Sequence, residues 1–476
     1  MVYETINNNI YNFSKKLPYV TVSAKGISNG LSTIINDGAD FGPDTYLGAT
    51  TKNRFGPPYT TTSGIQEAIN YASQNGGKII LTSGIFGITS PITINYSGIS
   101  IEGVSFGESP KINTYISVNA SGIDGIDING QYELEYITLK NLIIQFNTSS
   151  TGHGINLSSP SNIEGLTRAN FENLTIHDTD SNHYGFNLTN ILFLKADRLS
   201  TYNCGGGINI TINGNESDLS GNSIFTETLI SGFNGSSLPA INLNGNPNSN
   251  GIQLITFNRL ELDSGSNGGN GNPYLNIENT TSSQFNNVVI ENDLTSGTYI
   301  PVSISNSSYL TFNGLQINNA STTEQPQINI SNSTWVYMNN WYNTGPPNAT
   351  INMLSGSTNC EFNGNAGPFN FNGNGIKINT LAGLIPFTAS GPTAGSVSGI
   401  YTTYSPSYKK ILITFSGYEN DTTTNQTINF PLPFSTSAVI TGNNTGLTIS
   451  ASTSGITITA PNSTATYNGI VIVEGY

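Results

Sequence analysis

Apolar side chains in this sequence come in short runs that alternate with polar residues, and few of them follow a helical period. One stretch departs from this pattern. Ile65, Ala68, Ile69 and Ala72 recur at helical spacing, with Ser63 where a cap is wanted, Gln66 three residues on as its capping-box partner, and Asn75-Gly76-Gly77 as a stop. The spacing predicts one helix there. After it, Lys78-Ile79-Ile80-Leu81, Pro91-Ile92-Thr93-Ile94 and Ile99-Ser100-Ile101 read as short strands between Gly and Ser turns.

From about residue 136 the strands become a repeat of two halves. The first half reads aromatic-x-(Asn/Gly)-apolar: Phe171-Glu172-Asn173-Leu174, Phe257-Asn258-Arg259-Leu260, Phe285-Asn286-Asn287-Val288, Phe312-Asn313-Gly314-Leu315 and Met338-Asn339-Asn340-Trp341. Weaker copies start at Leu139 and Ala196, and a third is Thr226-Glu227-Thr228-Leu229. The second half reads apolar-Asn-apolar, centred on Asn156, Asn187, Asn209, Asn242, Asn276, Asn329 and Asn352, with Val302-Ser303-Ile304 replacing one copy. The halves alternate with a period of roughly 25–32 residues.

A period of that length, built from strands without intervening helices, predicts a parallel β-helix. Each coil cannot bury its apolar face alone, so coils stack about 4.8 Å apart and their inward residues form columns. The third position of the first half (Asn141, Asn173, Asn287, Gly314, Asn340, Gly364) holds types that accept positive φ, as a tight bend between strands requires. Near residue 366 the pattern ends. Residues 371–399 read as a linker or closing cap, and six or seven short alternating strands over residues 400–476 predict a small antiparallel sandwich.

Charge is scarce. Charged residues are 9% of the 476, Lys plus Arg number 15, and the net charge is −14. No basic patch exists to neutralise phosphates, so nucleic acid is excluded as a partner. No run approaches the roughly 20 apolar residues of a membrane span, and Met1–Lys16 has no apolar core of a secretory signal. So few titratable groups also predict tolerance of acid. Cys204 and Cys360 lie about six coils, roughly 29 Å, apart by stacking and are expected to form no disulfide.

The entry to the repeat, Asn36-Asp37-Gly38-Ala39-Asp40, then Gly64 to Asn70, then Gly76-Gly77-Lys78-Ile79-Ile80-Leu81 and Gly84-Ile85-Phe86, resembles that of pectate-lyase-like β-helix proteins. The resemblance covers roughly residues 30–370. It implies an all-β chain: a single-stranded right-handed parallel β-helix over 61–370, with the helix capping its open end.

Enzymes of that superfamily mostly cleave polysaccharide with acids on one outer face. Three positions after the Leu/Val column lie Gln145, His177, Tyr202, Gly232, Asp263, Glu291 and Asn318. In this register Asp263 and Glu291 are neighbours whose carboxyls would lie about 5 Å apart, the spacing of a retaining glycosidase pair. His177, Tyr202 and Asp178 fall along the same edge as glycan-binding candidates. Solvated turn residues are the structural alternative. No Lys or Arg joins the cluster, which counts against lyase chemistry of the pectate-lyase kind. Asp37, Asp40 and Asp44 fit a turn beside the helix better than a Ca²⁺ loop, and the three histidines show no metal spacing, so no metal or cofactor is expected. The Asn column reads as a ladder of mutually bonded carboxamides. Asn156, Asn187, Asn209 and Asn329 are also glycosylation acceptors, among roughly twenty such sequons.

A capped β-helix with few charges, no signal and a C-terminal β-domain resembles a viral tailspike or tail-fibre protein. The composition is similar to that of structural proteins of archaeal spindle-shaped viruses. The resemblance implies a homotrimer on the virion surface, assembled inside the host, that attaches to other tail proteins through residues 1–60 and binds host cell-surface glycan or glycoprotein. A polysaccharide-degrading enzyme using Asp263 and Glu291 is one alternative, and a cellular surface adhesin is another.

Overall fold

In a computed structural model, the described residues are 19–25, 37–49, 51, 59–75, 77–104, 113–131, 133–161, 163–214, 220–233, 238–249, 251–263, 272–292, 300–319, 326–343, 350–354, 356–364, 369–371, 377–380, 387–388, 393–405, 408–420, 426–429, 434, 438–443, 445, 447–459 and 466–476. They belong to two compact units, residues 1–272 and 273–476. The fold is an all-β, right-handed parallel solenoid.

In the first unit, three ladders of parallel strands make the faces of the coil. The long-strand ladder runs through Thr138–Phe146, Asn170–His177, Lys195–Tyr202, Ile224–Ser231 and Thr256–Asp263. A second runs through Ile92–Ile94, Ile126–Asn129, Ile155–Ser158, Tyr184–Thr189, Gly206–Thr211 and Ile241–Asn244. The third is short: Leu134–Glu135, Leu166–Thr167 and Ile191–Leu192.

The predicted columns are present. Leu139, Phe171, Ala196, Phe225 and Phe257 occupy one buried register, and the last two rings stack at 4.7 Å. In the second unit Phe285, Phe312, Met338 and Phe362 do the same, with the first two rings 4.6 Å apart. Every rung thus buries an aromatic or aliphatic side chain against its neighbours, the dominant stabilising term in such a stack.

The bend at the third motif position is also as expected: Asn141, Asn173, Asn287 and Asn340 have φ of 52–55°, and Gly314 has 77°. Arg198, Glu227 and Arg259 hold the same left-handed bend at 53–62°. The stacked neighbours impose it on residue types that would not choose it alone. Gly364 departs, because a register shift pairs it with Trp341 rather than Asn340. A one-residue correction falls on the coil at 224–231. Thr228, not Leu229, aligns with Leu260, so Ser231 rather than Gly232 follows Tyr202 in register. Phe225 seats in the Phe column and fixes the frame, leaving buried Thr228 where an apolar residue was expected.

The helix spans Ile65–Asn75 and buries Ile65, Ala68, Ile69 and Ala72. The expected capping box does not form. Ser63 sits at φ 56°, outside the extended conformation of a cap, and its hydroxyl donates to the Gly87 carbonyl. Thr62 Oγ1 accepts from the Gln66 N–H instead, at 3.3 Å. The Gln66 side chain clamps Thr93, accepting from its N–H at 2.7 Å and donating to its carbonyl at 3.1 Å. Asp40 and Asp37 close the turn beside it: Asp40 accepts from the N–H and hydroxyl of Thr21, and Asp37 from the Ser23 hydroxyl. Tyr19–Val22 adds a parallel strand to Lys78–Leu81, so the described part of residues 19–49 packs within this unit.

In the second unit, Lys377–Thr380 pairs parallel with Glu361–Gly364 and antiparallel with Thr393–Ser405. From there pairing is antiparallel. Thr393–Ser405, Tyr408–Asn420, Thr466–Gly475 and Ala438–Asn443 form one sheet, while Phe387–Thr388, Gln426–Asn429, Gly455–Ile458 and Ile449–Ala451 form another. Ile411, Ile413, Val471 and Val473 from the first sheet and Ile456 and Ile458 from the second are buried, as in a sandwich. Cys204 and Cys360 are buried and unbridged, and burial pushes each thiol up to about 11.

Candidate functional site

Side chains at the end of the long strands leave the core and line an edge. There Gln145, His177, Tyr202, Ser231 and Asp263 follow one another in register. The rings of His177 and Tyr202 stack with centroids 4.9 Å apart and planes 18° from parallel. Burial lowers the His177 pKa, opposed by the neighbouring Asp178 charge, so the neutral imidazole is favoured. Asp178 sits at φ 61° and accepts from the Asn203 side chain at 3.2 Å. The three glycan-binding candidates of the first unit therefore meet on one edge.

Asp263 accepts from the Ser231 hydroxyl at 3.0 Å, in the first unit. Glu291, in the second, accepts from Asn318 Nδ2 at 3.1 Å. Each carboxylate has a neutral donor in the adjoining rung.

The Asn column is a continuous ladder in the first unit. Asn187 donates to Asn156 (2.8 Å), Asn209 to Asn187 (2.7 Å) and Asn242 to Asn209 (2.8 Å), while Asn156 donates to Asp124 (2.8 Å). Flanking Ile and Leu side chains are buried, which turns the amides outward. The amides of Asn156, Asn187 and Asn209 are thus all engaged and half-buried. In the second unit Asn329 pairs with Ser303, whose side chain is too short to continue the chain of amides, and its buried Oδ1 has no hydrogen-bond partner.

Sequence reasoning missed a cluster at the start of these strands. The rings of His153 and His183 touch edge to face at 4.7 Å. His183 Nδ1 pairs with Asp180 at 2.7 Å, His153 Nδ1 accepts from the Tyr184 N–H at 3.0 Å, and Asp124 accepts from the His153 N–H at 2.8 Å. Asp127 occupies the Asn-ladder register beside Asn156, and its buried Oδ1 has no hydrogen-bond partner. Burial, then the Asp124 charge, raises the Asp127 pKa, while burial lowers that of His153 and raises that of Tyr184. The imidazole of His153 is thus held neutral, and the buried Tyr184 phenol stays protonated. The two histidines stand 30 residues apart in sequence, so only their shared place before an apolar-Asn-apolar strand marks them.

No family model and no curated protein matches the chain. Among solved structures, it is similar to the A-module of the mannuronan C-5 epimerase AlgE4 of Azotobacter vinelandii, at 15% identity over 66% of this chain and 94% of that one, with a TM-score of 0.48. It is also similar to ORF18 of Geobacillus virus E2, at 12% identity over 98% and 78% of the two chains, with a TM-score of 0.41. A third is the full-length tailspike protein 2 of the Escherichia coli O157:H7 bacteriophage CAB120, at 12% identity over 87% and 68%, with a TM-score of 0.44. The solenoid itself is established by the strand registers of this chain.

Proposed function

We propose that this chain is a virion tailspike or tail-fibre protein that binds host cell-surface glycan. The observation that carries the reading is the stacked His177–Tyr202 pair, whose register neighbours are the Gln145 carboxamide and the Ser231 hydroxyl, with the Asp178 and Asp263 carboxylates further along the edge. Neutral sugars are hydroxyl-rich and flat on their C–H faces, so aromatic rings and short polar side chains recognise them without charge. A solenoid repeats such groups rung after rung, which suits a polymeric ligand. In this reading three copies associate, residues 1–60 attach to other tail proteins, and the particle belongs to an archaeal virus.

The enzyme alternative has its own support in the contact of His153 and His183, each also held by a carboxylate or a backbone N–H. Asp263 and Glu291 remain its other candidate acids. Incubating purified protein with host envelope polysaccharide, and following retention together with polymer size, separates the readings. Retention without shortening is expected. Shortening that survives Asp263→Asn and Glu291→Gln but not His153→Gln would move the chemistry to the histidine cluster.

A further inference from the structure

In the second unit each long strand is entered through a residue in the left-handed region: Ser282 (φ 53°), Tyr309 (54°), Trp335 (57°) and Asn359 (55°). Flanking pairs Thr281–Ser308, Ser308–Thr334 and Thr334–Thr358 place the four in successive rungs. The bend is held from inside by a column of buried serines. Ser307 Oγ accepts from the Thr280 N–H and Ser333 Oγ from the Ser307 N–H, both at 3.1 Å, and Ser357 Oγ from the Ser333 N–H at 3.5 Å. The backbone conformation is therefore fixed whatever side chain the bend residue carries.

At such a φ, short polar residues are the least strained choice after glycine, and Ser282 and Asn359 are of that kind. Tyr309 and Trp335 are bulky, and they do not fill the core: their exposures are 56% and 38%. Two large rings thus stand in solvent at positions where the fold tolerates Ser or Asn. They lie parallel, 4° apart in plane with centroids separated by 6.1 Å, and the Tyr337 ring approaches Trp335 at 6.5 Å. The adjoining rungs carry the shorter Ser282 and Asn359, so each end of the pair presents an aromatic face. Around it are Thr281, Ser308, Thr334 and Thr358, with Thr281 and Ser308 hydroxyls 2.9 Å apart. None of these eight residues carries formal charge at pH 7.

The corresponding bends of the first unit are filled differently. Tyr136, Arg168 and Phe193 also have positive φ, but Arg168 lies over both rings, 6.0 Å from one and 5.9 Å from the other, and pairs with Glu135. There the aromatic surface is occupied by the protein's own cation.

We infer that Tyr309 and Trp335 form a stacking site for a neutral pyranose unit of a polysaccharide. The C–H face of the sugar lies on the open ring faces, and its hydroxyls meet the Ser, Thr and Asn groups beside them. The described residues around the pair carry no positive group, and Glu361, in register with Tyr337, is the carboxylate beside them, so an anionic sugar finds no counter-charge here. This assignment rests on the glycan-binding reading and adds the place and the class of sugar.

Tyr309→Asn and Trp335→Asn install the residue that Asn359 already places at this bend, so both variants should fold and melt close to the wild-type temperature. The probes are dextran, mannan, xylan and a mixed-linkage β-glucan, with alginate as the charged control, in affinity electrophoresis. Wild-type protein is expected to be retarded by at least one neutral polymer, and each Asn variant to lose tenfold or more of that retardation. Trp335→Phe, which keeps a ring, should retain most of it. Of the two tryptophans, Trp341 is buried and Trp335 exposed, so the binding polymer should also perturb tryptophan emission, an effect absent from Trp335→Asn. Retardation that survives both Asn changes but is lost in Tyr202→Ala would overturn this site while leaving glycan binding in place. A wild-type protein retarded by alginate alone would overturn the neutral-sugar assignment, and one retarded by no polymer would overturn both.

Discussion

In the first unit the residue after the Phe column is Lys140, Glu172 or Asp197 in three successive rungs and then the neutral Thr226 and Asn258, whereas in the second it is Asn286, Asn313, Asn339 or Asn363 throughout. The first set is joined by ion pairs: Lys140 to Glu172 at 3.0 Å, and Arg198 to Glu172 and Asp197 at 3.2 and 3.1 Å. The second is joined by carboxamides, with Asn313 donating to Asn286, Asn339 to Asn313 and Asn363 to Asn339 at 2.9–3.0 Å. The bends three residues before the Phe column differ in the same sense, Arg168 between two rings in one unit and an unfilled Tyr309–Trp335 pair in the other. A stacked rung needs any pair of groups that bond in register, and either chemistry meets that need. What differs is the surface these columns present: ion-paired over three rungs in one unit, a carboxamide ladder with open aromatic faces in the other.

If the difference is confined to the surface, the cores must respond alike. Phe257→Ala and Phe312→Ala each remove a stacked, buried ring, and each should cost about 3–5 kcal/mol in denaturant unfolding. A large disparity between the two would mean that the units are not built on equivalent columns.

Asp127→Asn sharpens the comparison by extending the amide ladder of the first unit by one rung. In the fold, burial and Asp124 favour the protonated acid, so the raised pKa contributes stability below the ordinary aspartate value of about 3.9, and this is lost as pH rises through the folded value. The variant should therefore be more stable than wild type by about 1 kcal/mol at pH 7, with the gap closing as pH falls toward 4. Thermal melts across pH 3–8 read this directly. A gap that widens in acid would contradict it.

Glu172→Gln carries the smallest effect. Its partners are partly exposed, so the loss should be no more than about 1 kcal/mol and should vanish at high salt. Asn313→Ala in the second unit should instead cost a similar amount at every salt concentration, because its partners are uncharged.

Much of this architecture is legible in the sequence because a solenoid writes its register into residue identity. Phe171, Phe257 and Phe285 recur at fixed places in the motif, and the Asn ladder is readable one rung at a time. The frame slipped by one residue at Thr228 because a buried Thr stood where hydrophobicity was the guide. The left-handed bends at Arg198, Glu227 and Arg259 were hidden because stacking, not side-chain preference, imposes them. The Ser63 cap failed because a tertiary bond to Gly87 competed with the local one. Of the site, the His177–Tyr202 pair follows from register alone, whereas the His153–His183 contact and the Tyr309–Trp335 pair needed positions outside the motif core. Both rings stand three residues before the Phe column, a signal available to anyone who extends the repeat backward.

The central claim is that this solenoid recognises its polymer through neutral groups. Salt dependence tests it most directly: retention of the protein by the polysaccharide it binds, measured from low to molar NaCl. The account predicts retention that is nearly flat, since no ion pair forms with the ligand. Retention that falls steeply as salt rises would show that charge, not stacking and hydrogen bonding, holds the polymer.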